Sequence, residues 1–213
     1  MKRLIDAGLE QLASMLFRMG EIAQDTVTIS IMNYIEGQHS PKQVDDLSKT
    51  LNSMEESIED IAFEIMVRFQ PVASDLRILK SYVKIGYDFQ RYGRYALDIS
   101  QIYEKLGGIR ELSPSFRKII EDMASETLDM VRISIQSLKN HNYELANKLS
   151  LMEDRVDRLY YQYLDKLMEK RTTTKNTIQS LLAVRYLERI SDHASYVGES
   201  IIYLATGKKV TLR

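Results

Sequence analysis

The chain has 213 residues, of which 28% are charged and 44% are hydrophobic, and its formal net charge is −1. This near-neutral balance argues against a nucleic-acid partner, and the charge mixed through residues 1–18 is atypical of a signal peptide or membrane anchor. The sequence has no cysteine, which excludes disulfides and thiolate metal sites and fits a cytoplasmic location. No apolar run reaches the ~18 residues that span a bilayer, so peripheral membrane contact is expected only through partner proteins.

Sparse prolines and glycines divide the chain into six segments with helical periodicity. Ser113-Pro114 pairs a capping residue with proline at a first helical position, and Gly107-Gly108 is a stop signal. Apolar residues recur in steps of three and four, without the sustained alternation of a strand. In the last segment they are Leu187, Ile190, Ala194, Val197, Ile201 and Leu204. The predicted helices are residues 3–36, 41–69, 74–106, 113–140, 143–170 and 174–205.

Parts of the sequence repeat at an offset of 98 residues. "LNSMEESIEDIAFEIMVRF" from residue 51 matches "LSLMEDRVDRLYYQYLDKL" from residue 149 in pattern. At the same offset, "DFQRYGRYALDISQ" from residue 88 lies over "YLERISDHASYVGE" from residue 186. A repeat of long helices predicts an all-α fold of two tandem three-helix bundles. The predicted domains are residues 1–108 and 109–213.

Two pairs of carboxylates stand one helical turn apart. Glu153 and Asp157 lie on the fifth predicted helix, and Glu188 and Asp192 lie on the sixth. Carboxylate oxygens are hard ligands that suit iron, manganese, magnesium or calcium, and zinc fits less well. All four acids flank the apolar stripes, so we expect a shallow, wet patch where the two helices meet. The alternative is a solvated face whose acids form ion pairs with neighbouring arginines.

Signals for catalysis are weak. Glu36 and His39 have the spacing of di-iron bundle ligands, but a glycine interrupts them at a helix end. His39 and His141 are predicted to be solvated loop residues, and His193 a histidine at a helix surface or edge. The sequence lacks a glycine-rich phosphate loop and a nucleophile elbow. We therefore assign no catalytic residue and predict that the protein is not an enzyme.

Two stretches carry a resemblance to a known family. "QPVASDLR" at residues 70–77 and "ERISD" at residues 188–192 resemble PhoU-type phosphate-transport regulators, and the tandem architecture is similar across nearly the whole chain. The resemblance implies a negative regulator of high-affinity phosphate uptake through an ABC transporter. It implies contact with the transporter ATPase or permease and, in bacteria, with a membrane sensor kinase. A homodimer is left open.

The resemblance also implies surface metal ions held by an acidic motif on each of two helices. In the second bundle this motif falls on Glu153, Asp157, Glu188 and Asp192. Iron is the favoured metal, with manganese, magnesium and zinc as alternatives. The implied site binds metal, a basic partner surface, or both.

The first bundle departs from this pattern. Glu55 and Glu59 match the motif on its second helix, but Gln90 and Arg94 stand where the third helix should carry acids. An amide and a guanidinium cannot complete a carboxylate cage, and Arg94 is expected to neutralise the two glutamates instead. The prediction of metal binding is therefore weaker for this bundle.

Other functions remain open at this point. One is an accessory role for a different phosphate permease, and another is a metal-dependent helical-bundle enzyme, which would need a pocket with an open metal position and a general base. A third is a coiled-coil spacer without metal or transporter contact. A deep, water-excluding cavity around Glu188 would favour the enzyme.

Overall fold

The protein is all-α, as predicted. The computed structural model describes residues 3–38, 40–139, 141–169 and 174–212, and no strand occurs within these ranges. None of the described helices is long and apolar enough to cross a bilayer. The six long helices are α1 (Leu4–Glu36), α2 (Pro41–Phe69), α3 (Ala73–Leu106), α4 (Pro114–Lys139), α5 (Tyr143–Met168) and α6 (Lys175–Thr206), and a short 3₁₀ helix spans Ile109–Glu111.

Local chemistry sets the helix ends. Gly37 and Gly207 end α1 and α6 with φ of 75° and 73°, in the left-handed region that glycine adopts without strain. At the start of α5, the Asn142 side chain accepts a hydrogen bond of 2.9 Å from the backbone N–H of Leu145. These punctuating residues were visible in the sequence, which is why the predicted bounds agree with the observed ones.

Helices α1–α3 form one bundle and α4–α6 form the other, which confirms the predicted architecture. Each bundle encloses its own apolar side chains, such as Leu16 and Phe89 in the first and Val156 and Ile190 in the second. The apolar stripe predicted for α6 is buried along its whole length. The domain boundary between residues 108 and 109 remains a prediction.

The two bundles pack against each other along α3 and α6, and also along α1 and α4. Polar side chains cross this seam as well as apolar ones. The Tyr92 hydroxyl of α3 lies 3.0 Å from the Ser134 hydroxyl of α4. The Tyr34 hydroxyl of α1 donates a 3.0 Å hydrogen bond to Gln179 of α6. As a consequence, α6 is enclosed by α3, α4 and α5, and most of its circumference is buried.

Candidate functional site

The candidate site lies where α5 and α6 approach closely. Gly198 of α6 faces α5, and a Cβ at this position would come within 2.8 Å of Leu149 Cδ1 and 3.4 Å of the Ala146 carbonyl oxygen. Ser191 and Ser195, which are also fully buried, keep the same face of α6 small. Small side chains let the two backbones approach, so longer side chains beside them are enclosed between the helices.

The expectation that the four acids form a wet surface patch was wrong. The exposed fractions of Glu153, Glu188 and Asp192 are 2%, 9% and 7%, and Asp157 is half-buried. A single apolar stripe predicts one buried face, but α6 packs on three neighbouring helices and its buried arc is wider. The acids on the flanks of the stripe are therefore covered.

Glu153 shares its environment with two other acids. Its Oε2 accepts a 2.9 Å hydrogen bond from the Ser195 hydroxyl. Burial raises the pKa of Glu153 to about 8, Ser195 opposes this, and the charges of Asp192 and Asp157 and a hydrogen bond to Asp192 raise it further. Burial and the neighbouring acids thus favour the protonated form of Glu153.

Only one of the two carboxylate oxygens of Glu188 has a partner among the described residues. Its Oε1 forms an ion pair with Arg185, while its buried Oε2 has no hydrogen-bond partner among the described residues. Burial is the main cause that raises the pKa of Glu188, and the Asp192 charge adds to it, whereas Arg185 and Arg189 lower it. Arg189 also lies 3.8 Å from Asp192 Oδ2. The two arginines that pair with these acids, Arg185 and Arg189, thus both belong to α6. Arg155 of α5 instead forms an ion pair with Glu126 of α4.

The chemistry of the donors fits a hard divalent cation better than their arrangement does. The four carboxyl groups form a suitable donor set, and one of their oxygens, Glu188 Oε2, is buried without a hydrogen-bond partner among the described residues. Nevertheless, no three carboxylate or imidazole groups in the described part of the chain are placed to hold an ion as they stand. Metal binding would therefore require the side chains of the cluster to rearrange, and Arg185 competes with an ion for Glu188.

The acids of the first bundle have different neighbours from those expected. Gln90 donates a 2.6 Å hydrogen bond to Asn52, as an amide that cannot replace a carboxylate ligand. Arg94 was expected to neutralise Glu55 and Glu59, but its ion pair is with Asp98, one turn along its own helix, at 3.5 Å. Burial, followed by the charges of Glu59 and Glu56, raises the pKa of Glu55.

The prediction that His193 lies at a helix surface or edge was also wrong, because its side chain is buried. Its Nδ1 lies 2.8 Å from Asp88 Oδ1 of α3, and the exposed fractions of the two residues are 8% and 1%. Burial raises the pKa of Asp88, and its hydrogen bond to His193 opposes that effect. This pair links the two bundles at the α3–α6 seam. Sequence reasoning missed it because nothing local in the sequence connects residues 105 positions apart.

His141 does not contribute to the site. His141 lies in an exposed turn, as predicted, with Nε2 3.3 Å from the Tyr82 hydroxyl. His39 lies outside the described residues, so the structure does not test its pairing with Glu36 in the spacing typical of di-iron bundles. The candidate site therefore consists of the four acids of α5 and α6, which we call the carboxylate cluster.

Comparison with known proteins decides the family. The family model described as the PhoU domain matches residues 16–103 and again residues 120–201. This chain belongs to the PhoU family. Each match falls within one bundle, so the PhoU domain occurs twice, and the resemblance carried by residues 70–77 and 188–192 is confirmed.

Curated PhoU relatives match along almost the entire chain. The chain is 31% identical over 218 residues to the phosphate-specific transport system accessory protein PhoU homolog of Clostridium acetobutylicum, covering 99% of this chain and 98% of that protein. It is 30% identical to the protein of the same name from Pseudomonas putida, covering 96% and 82%. The likeness thus extends over both bundles.

Solved PhoU structures have the same fold. The crystal structure of PhoU from Pseudomonas aeruginosa superposes with a TM-score of 0.88 at 29% identity and covers 95% of this chain and 99% of that one. The phosphate transport system regulatory protein PhoU from Streptococcus pneumoniae superposes with a TM-score of 0.84 over 97% of this chain. At 20% identity, that second likeness concerns the fold alone.

Proposed function

We propose that this PhoU-family protein is an accessory regulator of phosphate transport that represses high-affinity phosphate uptake through an ABC transporter. The observation that carries the proposal is the match over 99% of the chain to a relative named as a phosphate-specific transport system accessory protein. An adaptor needs recognition surfaces rather than a reaction centre, and we assign no catalytic residue.

The partners in this proposal are the transporter ATPase or permease, with a membrane sensor kinase as a further partner. The protein acts from the cytoplasm and reaches the membrane through these proteins. Support comes from the named relatives and from two bundles of long helices, which offer extended faces to a partner. An accessory role for another phosphate permease is the second candidate, because the names of the relatives do not specify which transporter protein they contact.

In this proposal the carboxylate cluster is the regulatory ligand site. Glu153, Asp157, Glu188 and Asp192 would hold a divalent cation, with iron favoured over manganese, magnesium or zinc, and Glu55 and Glu59 would form a weaker site. Burial and the unpartnered Glu188 Oε2 support a role beyond that of a solvated face. A bound cation would supply positive charge that offsets the mutual repulsion of the acids.

Phosphate uptake by intact cells tests the proposal. Deleting the gene in the source organism should raise the initial rate of uptake of radiolabelled phosphate in phosphate-rich medium, and the wild-type gene should restore it. Repeating the deletion in a strain without the transporter ATPase separates the two candidates. If the raised rate disappears there, the ABC transporter is the target, whereas a rate that stays raised indicates another permease. An unchanged rate in the first deletion contradicts both.

A further inference from the structure

A cavity of about 300 Å³ lies on the side of the α3–α6 seam, away from the carboxylate cluster. Residues of α3, of α6 and of the segment after α6 line it. That segment folds back because the backbone N–H of Leu212 donates a 3.1 Å hydrogen bond to Glu199 Oε1, and the buried Leu212 side chain packs beside Gly198. The lining includes Lys80, Ser81, Lys84, Glu199, Tyr203 and Lys209.

The charge around the cavity is positive. Three lysines face one carboxylate, and that carboxylate, Glu199, lies 3.9 Å from the ammonium of Lys84. Lys80 and Lys209 form no ion pair with any residue that the structure describes. They come from different elements, one from α3 and one from the folded-back segment, so both charges border the cavity. The arrangement attracts an anion.

Ser81 gives an independent indication of a ligand. Its exposed fraction is 2%, and its enclosed hydroxyl oxygen has no hydrogen-bond partner among the described residues. Leaving a buried hydroxyl without a hydrogen-bond partner destabilises the folded state. Ser200, on the same cavity, instead donates to the Tyr196 carbonyl at 2.9 Å, the usual solution for a helical serine. Ser81 lines the cavity, and its hydroxyl needs a partner that the described residues do not supply.

We propose that this cavity binds a phosphate monoester. The phosphoryl group lies among the lysine ammonium groups, which bind phosphate as point charges, and accepts a hydrogen bond from Ser81. The organic group packs on Tyr203 and Val210, which line the rest of the cavity. A volume of about 300 Å³ suits a small organic molecule and leaves most of the space unfilled by inorganic phosphate alone. This site is separate from the carboxylate cluster and does not depend on the proposed transporter role.

Isothermal titration calorimetry with four probes tests the proposal. Phenyl phosphate and adenosine 5′-monophosphate are the monoesters, inorganic phosphate lacks the organic group, and adenosine lacks the charge. At least one monoester should bind at a single site, at least ten-fold more tightly than inorganic phosphate, and adenosine should not bind. Absence of binding by both monoesters at millimolar concentration overturns the proposal, and so does equal affinity for inorganic phosphate.

Variants locate the binding site. Ser81→Ala and the double variant Lys80→Gln/Lys209→Gln should each weaken monoester binding at least ten-fold, whereas Lys148→Gln, at an exposed position of α5, should leave it unchanged. Ser81→Ala should not lower the melting temperature, because it removes a buried hydroxyl that lacks a partner. A loss of affinity therefore cannot be attributed to unfolding. Unchanged binding in both test variants places the ligand elsewhere and overturns the proposal.

Discussion

Glu153→Gln is expected to stabilise the metal-free protein at pH 8 by on the order of 3 kcal/mol. In the folded protein, burial between α5 and α6 and the neighbouring acids raise the pKa of Glu153 to about 8, far above its value in an unfolded chain. The folded state consequently binds more protons between pH ~4.5 and about 8, and wild-type stability falls as the pH rises through that window. Glutamine has no proton to lose, and its amide still donates to Asp192 and accepts from Ser195.

Urea unfolding between pH 5 and pH 9, in the presence of a chelator, measures this effect. The variant should gain on the wild type progressively up to about pH 8 and then run parallel to it. Asp154→Asn is the matched control, because Asp154 neighbours Glu153 on α5 but is exposed. Its stability difference from the wild type should not vary with pH. A Glu153→Gln protein that is less stable than the wild type at pH 8 would show that the carboxyl is ionised and well solvated.

His193→Ala is expected to destabilise the protein by about 3 kcal/mol, because it leaves a buried carboxyl group without its hydrogen-bond partner and opens a cavity. The carboxylate of Asp88 would be left without its partner, and its Oδ2 already lacks one among the described residues. The substitution also empties the space between the rings of Tyr87, Tyr95 and Tyr196, which surround the imidazole at centroid distances of 6.2, 5.6 and 5.2 Å. Since the pair joins α3 to α6, the loss falls on the contact between the bundles.

A double-mutant cycle separates the hydrogen bond between Asp88 and His193 from the loss of packing. Asp88→Ala/His193→Ala should cost less than the sum of the two single variants, because the double variant leaves neither group of the pair buried without its partner. Asp122→Ala removes an exposed ion pair with Lys118 and should change the free energy of unfolding by less than about 1 kcal/mol. Additive single effects would mean that His193 acts only by filling space.

The sequence predicted the helices because their ends depend on local chemistry. Proline at the start of α4 and glycine at the ends of α1, α3 and α6 act within a few residues of themselves. The ion pair between Arg94 and Asp98 has the same local character, since their spacing of four residues places them on one helix face. Features of this kind need no knowledge of the tertiary fold.

The candidate site was predicted in its residues but not in its environment. A helical stripe indicates which face is buried, but not how many helices surround it, and the burial of Glu188 and Asp192 depends on that number. The run of small residues at Ser191, Ser195 and Gly198 was a readable signal for close helix packing. The pairing of His193 with Asp88 left no such signal, because it is created by the packing of one bundle on the other.

Thermal unfolding with and without added metal shows whether the carboxylate cluster is a ligand site or a solvated face. Manganese, ferrous iron or zinc should raise the melting temperature of the wild type, since binding to the folded state at a hundred-fold excess over Kd contributes about 2.7 kcal/mol.

The variant Glu188→Gln/Asp192→Asn should fold, with metal-free stability equal to or above that of the wild type, and should lose the response to metal. Glu55→Gln/Glu59→Gln, in the first bundle, should keep it. If metal stabilises the Glu188→Gln/Asp192→Asn variant as much as the wild type, the carboxylate cluster does not bind the ion and is not the ligand site.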